Sequence, residues 1–189
     1  MNLIEELKNY CDINNPVGAL MLSGEWGCGK TYLIKTKFIP SVKDTYVFVC
    51  ISLFGIDSLD KLRVEVKKKW LEKASEFDSL NGTKVSRVAD SCRRIFDTIK
   101  DRLPENWQKK GEVVSSIMDL INFMPISNRM FEKKVILVFD DLERTNISCT
   151  DLLGCINDYC ENQGFNTIIV ANEEKIKDRS DNELSYREI

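Results

Sequence analysis

The stretch Gly24-Glu25-Trp26-Gly27-Cys28-Gly29-Lys30-Thr31 decides how this chain is read. It satisfies G-x-x-x-x-G-K-[ST] at every fixed position. It stands between an apolar run, Ala19 to Leu22, that predicts a short buried strand, and a stretch from Thr31 to Phe38 that predicts a helix stopped by Pro40. A strand leading into such a loop and out into a helix makes a cradle for anions. The glycines let the backbone wrap so that successive N–H groups point inward, and the positive end of the helix adds to their field. Lys30 would reach the outer phosphate oxygens. The Thr31 hydroxyl would ligate Mg²⁺, which needs only one or two protein groups when phosphates supply the rest. Gly24, Glu25, Trp26, Gly27, Cys28, Gly29, Lys30 and Thr31 are therefore the expected nucleotide-binding set. Trp26 is expected to pack beneath the loop, the alternative being a place near the nucleotide, and Cys28 to be a small spacer rather than a reactive thiol. The plain alternative is a Gly-rich hairpin with an incidental lysine; the strand-loop-helix order argues against it.

Farther along, Val135-Ile136-Leu137-Val138-Phe139 is the strongest strand signal in the chain. A continuous apolar run suits the centre of a parallel sheet, covered on both faces. Asp140-Asp141-Leu142-Glu143-Arg144 follows at once, at the carboxyl end of the strand, where open α/β sheets bind ligands. Asp140 is the expected water-mediated partner of the magnesium, the Walker B acid. Asp141 is expected to polarise the attacking water, with Glu143 as second choice. Acids also close strands and cap helices without doing chemistry, so the complete phosphate loop upstream carries the functional reading. Arg144 reads as a local partner of Glu143 or Asp141 rather than a finger aimed at another subunit. A further strand, Thr167 to Ala171, ends in Asn172, whose amide would orient the attacking water or simply make the turn.

The remaining pattern frames these motifs. Leu3, Ile4, Leu7 and Tyr10 predict an opening helix ending near Asp12, and Tyr46 to Leu53 predicts a strand bounded by Gly55. Three helical stripes follow, from Leu59 to Phe77, Val85 to Leu103 and Val113 to Met124, with Lys67, Lys68 and Lys69 read as a solvated face. Leu152, Leu153, Ile156 and Tyr159 predict a helix closed by Gly164. The order β-α-β, helices, β-α-β predicts an α/β fold with a parallel sheet in a three-layer α/β/α arrangement.

Composition narrows the function classes. At 189 residues the chain is expected to form one domain, and 43% hydrophobic with 30% charged residues is a globular profile. A net charge of -3 makes no global case for nucleic acid or an anionic membrane. There is no histidine, which excludes His-dependent triads, and the seven cysteines form no C-x-x-C pair, which argues against structural zinc. Scattered, odd-numbered cysteines and the lack of a signal sequence or membrane span predict a cytoplasmic protein.

The base is expected to be adenine. A GTPase needs Asp-x-x-Gly after its third strand and Asn-Lys-x-Asp to read guanine, whereas this chain has Asp140-Asp141-Leu142-Glu143 and Asn172-Glu173-Glu174-Lys175. With its tryptophan-glycine loop and its Asp140-Asp141-Leu142-Glu143-Arg144 segment, the chain resembles the KAP family of P-loop NTPases, relatives of the AAA+ and signal-transducing ATPases. The resemblance covers about residues 15–55 and 133–189. It implies ATP and Mg²⁺ as ligands, and a helical insertion between the two motifs, here at about 58–132. The interval from Thr31 to Asp140 is indeed far longer than the roughly 60 residues that two βαβ steps require. It further implies an ATPase acting as a nucleotide-dependent switch in bacterial defence or signalling, with a homo-oligomer or an effector as partner. A small-molecule or nucleoside kinase, with Arg87, Arg93 and Arg94 as its lid, is the alternative; so is a module that binds ATP with negligible turnover. Only four strands are recognisable, and the fifth strand and helical lid that the resemblance implies do not fit in the residues after Asn172, so turnover by this chain alone is expected to be weak.

Overall fold

The computed structural model describes residues 2–81, 126–130 and 132–176. By its internal contacts the chain divides into two units, Met1–Leu62 with Ser127–Ile189, and Arg63–Ile126. The elements run α1 (Leu3–Asp12), β1 (Leu20–Ser23), α2 (Lys30–Tyr32), a π-helical segment (Leu33–Phe38), α3 (Ile39–Val42), β2 (Tyr46–Ser52) and α4 (Leu59–Asn81). After these come β3 (Arg129–Met130), β4 (Lys133–Asp140), a 3₁₀ turn (Leu142–Arg144), α5 (Cys149–Glu161) and β5 (Asn166–Ala171).

The sheet order is β1-β5-β4-β2, all parallel, with β3 antiparallel on the start of β4. The register places Ser23 beside Ala171, Val170 beside Asp140, and Asp140 beside Ser52. Four carboxyl ends therefore meet at one edge of the sheet.

Composition explains why β4 is central. Val135 to Phe139 are all buried, so the strand needs cover on both faces and hydrogen-bonded neighbours on both sides. On one face Ile136, Val138, Ile168 and Val170 pack with Tyr46 and Phe48 against Leu7 and Cys11 of α1 and Ile34, Phe38 and Val42 of the helix that follows the loop. On the other, Phe139 lies 6.2 Å from the Tyr159 ring of α5, which meets Phe165 edge-on. This unit thus has three layers, and the expected parallel-sheet α/β/α core is what the chain forms.

Helix ends are satisfied by side chains. Asn2 caps α1, and Ser148 caps α5 through the N–H of Asp151 at 3.2 Å. The last carbonyls of α1 are held from the sheet: Asn166 Nδ2 donates to Tyr10 and Ile13, and Lys134 Nζ to Cys11 and Ile13, at 2.8 to 3.0 Å. A cation at a helix C-terminus also opposes its dipole. Gly164 closes α5, as expected: its N–H bonds Cys160 O, and that of Phe165 bonds Tyr159 O, a pairing that requires the left-handed φ of +69° found there.

Three expectations need correction. Pro40 does not stop the helix after the loop, which continues to Val42; the wide π turn before it absorbs a residue that has no N–H to donate. β1 is not fully buried, since Leu20 and Leu22 face the core while Met21 is exposed, as befits a strand paired on one side only among the described residues. β3 is additional to the four strands expected, being two residues long and so too short to leave a pattern. The first stripe is α4, along which Lys68 and Lys69 pair with Glu65 and Glu72. The stripes beginning at Val85 and Val113, Arg87, Arg93, Arg94 and the segment Ser180 to Ile189 lie outside the described residues.

The seam between α1 and the sheet should be sensitive to alkali. Burial pushes the Cys11 thiol from 9.0 up to about 12, and the Tyr10 hydroxyl from 10.0 up to about 12; burial and the bond to Asp12 raise Tyr46 as well. Below pH 9 the thiol is protonated folded or unfolded, and the fold has its full stability. Between 9 and 12 only the unfolded thiol ionises, so stability falls as pH rises. Urea unfolding at pH 8, 9 and 10 under reductant is expected to show a decline that is shallower in Cys11→Ala, by about 1 kcal/mol per pH unit.

Candidate nucleotide site

β1 delivers the chain to the loop at the carboxyl edge of the sheet. The strand pairing continues one step into the loop, with Gly24 N–H donating to Ala171 O at 3.3 Å. Gly27 and Gly29 follow at φ +80° and +93°. At Gly29 this left-handed conformation lets the backbone turn directly into α2, whose first hydrogen bond runs from Leu33 N–H to Gly29 O at 2.8 Å. The strand-loop-helix order of the sequence is thus the order in space.

Lys30 folds back over the loop. Its ammonium donates to Gly24 O at 2.6 Å and Glu25 O at 2.8 Å, and lies 3.9 Å from Cys28 Sγ. Cys28 is exposed. Trp26 departs from expectation: at 62% exposed it is not packed beneath the loop, and its indole N–H donates to Glu143 Oε1 at 2.6 Å. A ring with a polar edge finds a carboxylate within reach, and that bond outweighs burial.

β4 brings the acids to the same edge. Asp140 is 7% exposed. Its Oδ1 accepts from the Thr31 hydroxyl at 3.1 Å and from the Asp141 N–H at 3.1 Å, and its Oδ2 faces Lys35 Nζ at 3.4 Å. Asp141 sits at φ 61°, ψ 40°, a left-handed conformation that Asp tolerates better than most residues. The kink turns its side chain toward Ser52, whose hydroxyl donates to Oδ2 at 3.2 Å. Arg144 lies 3.7 Å from Asp141 Oδ1, with its guanidinium 4.0 Å from the centroid of Phe54.

Glu143 is held at both oxygens, by Trp26 and by the N–H of Asn172 at 3.1 Å. The Asn172 side-chain oxygen accepts from Lys175 N–H at 3.3 Å at the start of a helical turn over 173–176.

A cavity of about 470 Å³ opens between these groups, lined by Trp26, Lys30, Thr31, Asp140, Asp141 and Glu143 among others, a size that suits a nucleotide-scale ligand. Tyr32, Lys35 and Ser52 are members of the neighbourhood that the motifs alone do not name. Lys35 was legible in retrospect, one helical turn after Thr31, and Ser52 as the polar residue closing β2.

A parallel sheet that carries this loop at the carboxyl end of β1, facing an acid at the end of the central strand, defines the P-loop NTPase core. The chain belongs to the KAP family: the family model described as the KAP family P-loop domain matches residues 2–186. No curated protein and no solved structure matches the chain. Among the described residues no helix is long and apolar enough to cross a membrane.

The loop's conformation should be costly to perturb. Gly29→Ala places a Cβ at φ +93°, and urea unfolding is expected to show a loss of about 1–2 kcal/mol although no atom blocks the new methyl group.

Proposed function

We propose that this domain binds ATP with Mg²⁺ and hydrolyses it, serving as a nucleotide-dependent switch. The observation that carries the reading is the Thr31–Asp140 hydrogen bond, which joins the phosphate loop to the β4 acid on the wall of one cavity that Lys30 also lines. The donor set suits magnesium. A threonine hydroxyl and a carboxylate are hard oxygen ligands, and among the described residues no cluster of three or more Cys, Asp or Glu side chains could hold a metal by itself, so phosphate oxygens would complete the shell. Bound there, Mg²⁺ would neutralise charge on the outer phosphates.

The chain's own residues divide the remaining work. Loop N–H groups from Gly24 to Thr31 hold the phosphates, and Lys30 exchanges the carbonyls of Gly24 and Glu25 for phosphate oxygens. Asp140 orients the Thr31 hydroxyl. Asp141 accepts the proton of the attacking water; its oxygens meet a hydroxyl at 3.2 Å and a guanidinium at 3.7 Å, looser contacts than the bonds of 2.6 and 3.1 Å that hold Glu143. Asn172 fixes the end of β5 beside them. Adenine rather than guanine is favoured by the lack of Asn-Lys-x-Asp after β5. Residues at about 58–132 form the family insertion, the natural place for a partner or effector to sense the nucleotide state. Cytoplasmic localisation, in bacterial defence or signalling, fits the cysteine pattern and the family.

Calorimetry with ATP, GTP and Mg²⁺ tests the reading. Lys30→Ala is expected to weaken ATP binding about 10- to 100-fold, the worth of a charged hydrogen-bond donor. Asp140→Asn should weaken the dependence of binding on magnesium. Asp141→Asn should leave ATP bound and slow hydrolysis about 10²- to 10⁴-fold. Unchanged affinity in Lys30→Ala, or equal affinity for GTP, rejects the proposal; normal turnover in Asp141→Asn with loss in Glu143→Gln moves the base to Glu143.

A further inference from the structure

Asp140 carries one more contact than a magnesium partner needs. Oδ1 serves the loop and the turn, through Thr31 and Asp141 N–H, while Oδ2 faces the ammonium of Lys35. Lys35 belongs to the π-helical segment after the loop, one turn beyond Thr31. The carboxylate it faces is nearly buried, and a buried charge is costly unless it is paired. Lys35 itself is half exposed, so its long stem can swing to water without breaking packing. An ammonium and a hydrated dication want the same lone pairs of the same carboxylate, and they repel each other.

We propose that Lys35 is the resident counter-charge of the metal site before nucleotide binds. It excludes free divalent cations from the nucleotide-free protein and yields only when the metal arrives with a nucleotide, whose phosphates bring the negative charge that offsets both cations. Lys35 is a positioning residue in this scheme, setting the order of binding rather than touching the reacting atoms. The inference rests on the reading of Thr31 and Asp140 as the protein side of the magnesium site.

Mn²⁺ is the probe, read by electron paramagnetic resonance on the full chain without nucleotide. Lys35→Met is expected to bind free Mn²⁺ about tenfold or more tightly than the unaltered chain, tenfold being the low end, with water fully screening a like charge about 4 Å away. Lys35→Arg should behave as the unaltered chain. The gain should vanish in Lys35→Met combined with Asp140→Asn, and shrink when ATP is present. Far-UV circular dichroism checks folding, and Lys35→Gln carries the same test if Lys35→Met does not fold. Unchanged Mn²⁺ affinity in Lys35→Met overturns the proposal, as does a gain that persists without the Asp140 carboxylate or appears equally in Lys35→Arg. If Asp140→Asn leaves Mn²⁺-ATP binding intact, the magnesium reading fails and this inference with it; intact dependence on Asp140 with no Lys35 effect overturns this inference alone.

Discussion

The 3.1 Å hydrogen bond from the Thr31 hydroxyl to Asp140 joins residues 109 positions apart, and the geometry of the whole site depends on it. It forms because β5 lies between β1 and β4 in a parallel register that sets Ser23 beside Ala171 and Asp140 beside Val170 at one edge. Parallel neighbours cannot be joined by a tight turn, so each pairing demands a crossover that returns the chain over a face of the sheet. The helix behind the loop is one such return and α5 another. Their apolar sides are what bury Val135 to Phe139. Core and site are therefore one construction: the packing that hides the central strand also aligns its acidic end with the loop.

The charged groups of the site rest on protein partners. Lys30 lies on loop carbonyls, Lys35 faces Asp140, Arg144 faces Asp141, and Glu143 spans Trp26 and the Asn172 backbone. A nucleotide entering the cavity has to replace some of these contacts, so the differential energy of binding is that of new partners over old ones. The Glu143 bridge ties the loop to the ends of both β4 and β5. This gives the loop a second anchor independent of Thr31. The left-handed backbone of Asp141 lets two consecutive aspartates point to different partners, one toward the loop and one toward β2.

Much of this was legible without coordinates, because it is local. Every strand carrying the site had a run of apolar or β-branched residues, and the loop had glycines where positive φ is required. Gly164 and the continuous apolarity of β4 likewise state their own structure. The misreadings were of features whose cause lies elsewhere in the fold. Pro40 looked like a stop because a π turn has no sequence signature. Trp26 looked like a packing residue because nothing near it in sequence shows that Glu143 stands beside it. β1 looked buried because strand order, which leaves it paired on one side among the described residues, is not written in the strand.

By itself, the sequence determined that there is a phosphate-type loop after a strand, an acidic end on a central strand, and a parallel α/β sheet to hold both. These follow from short-range chemistry: glycine torsions, helix ends and the period of apolar residues. Only the tertiary structure decided the partners, pairing Thr31 and Lys35 with Asp140, Trp26 with Glu143, and Ser52 with Asp141. Such pairings depend on strand order and register, fixed by burying both faces of the sheet at once, and no local stretch of chain contains that information.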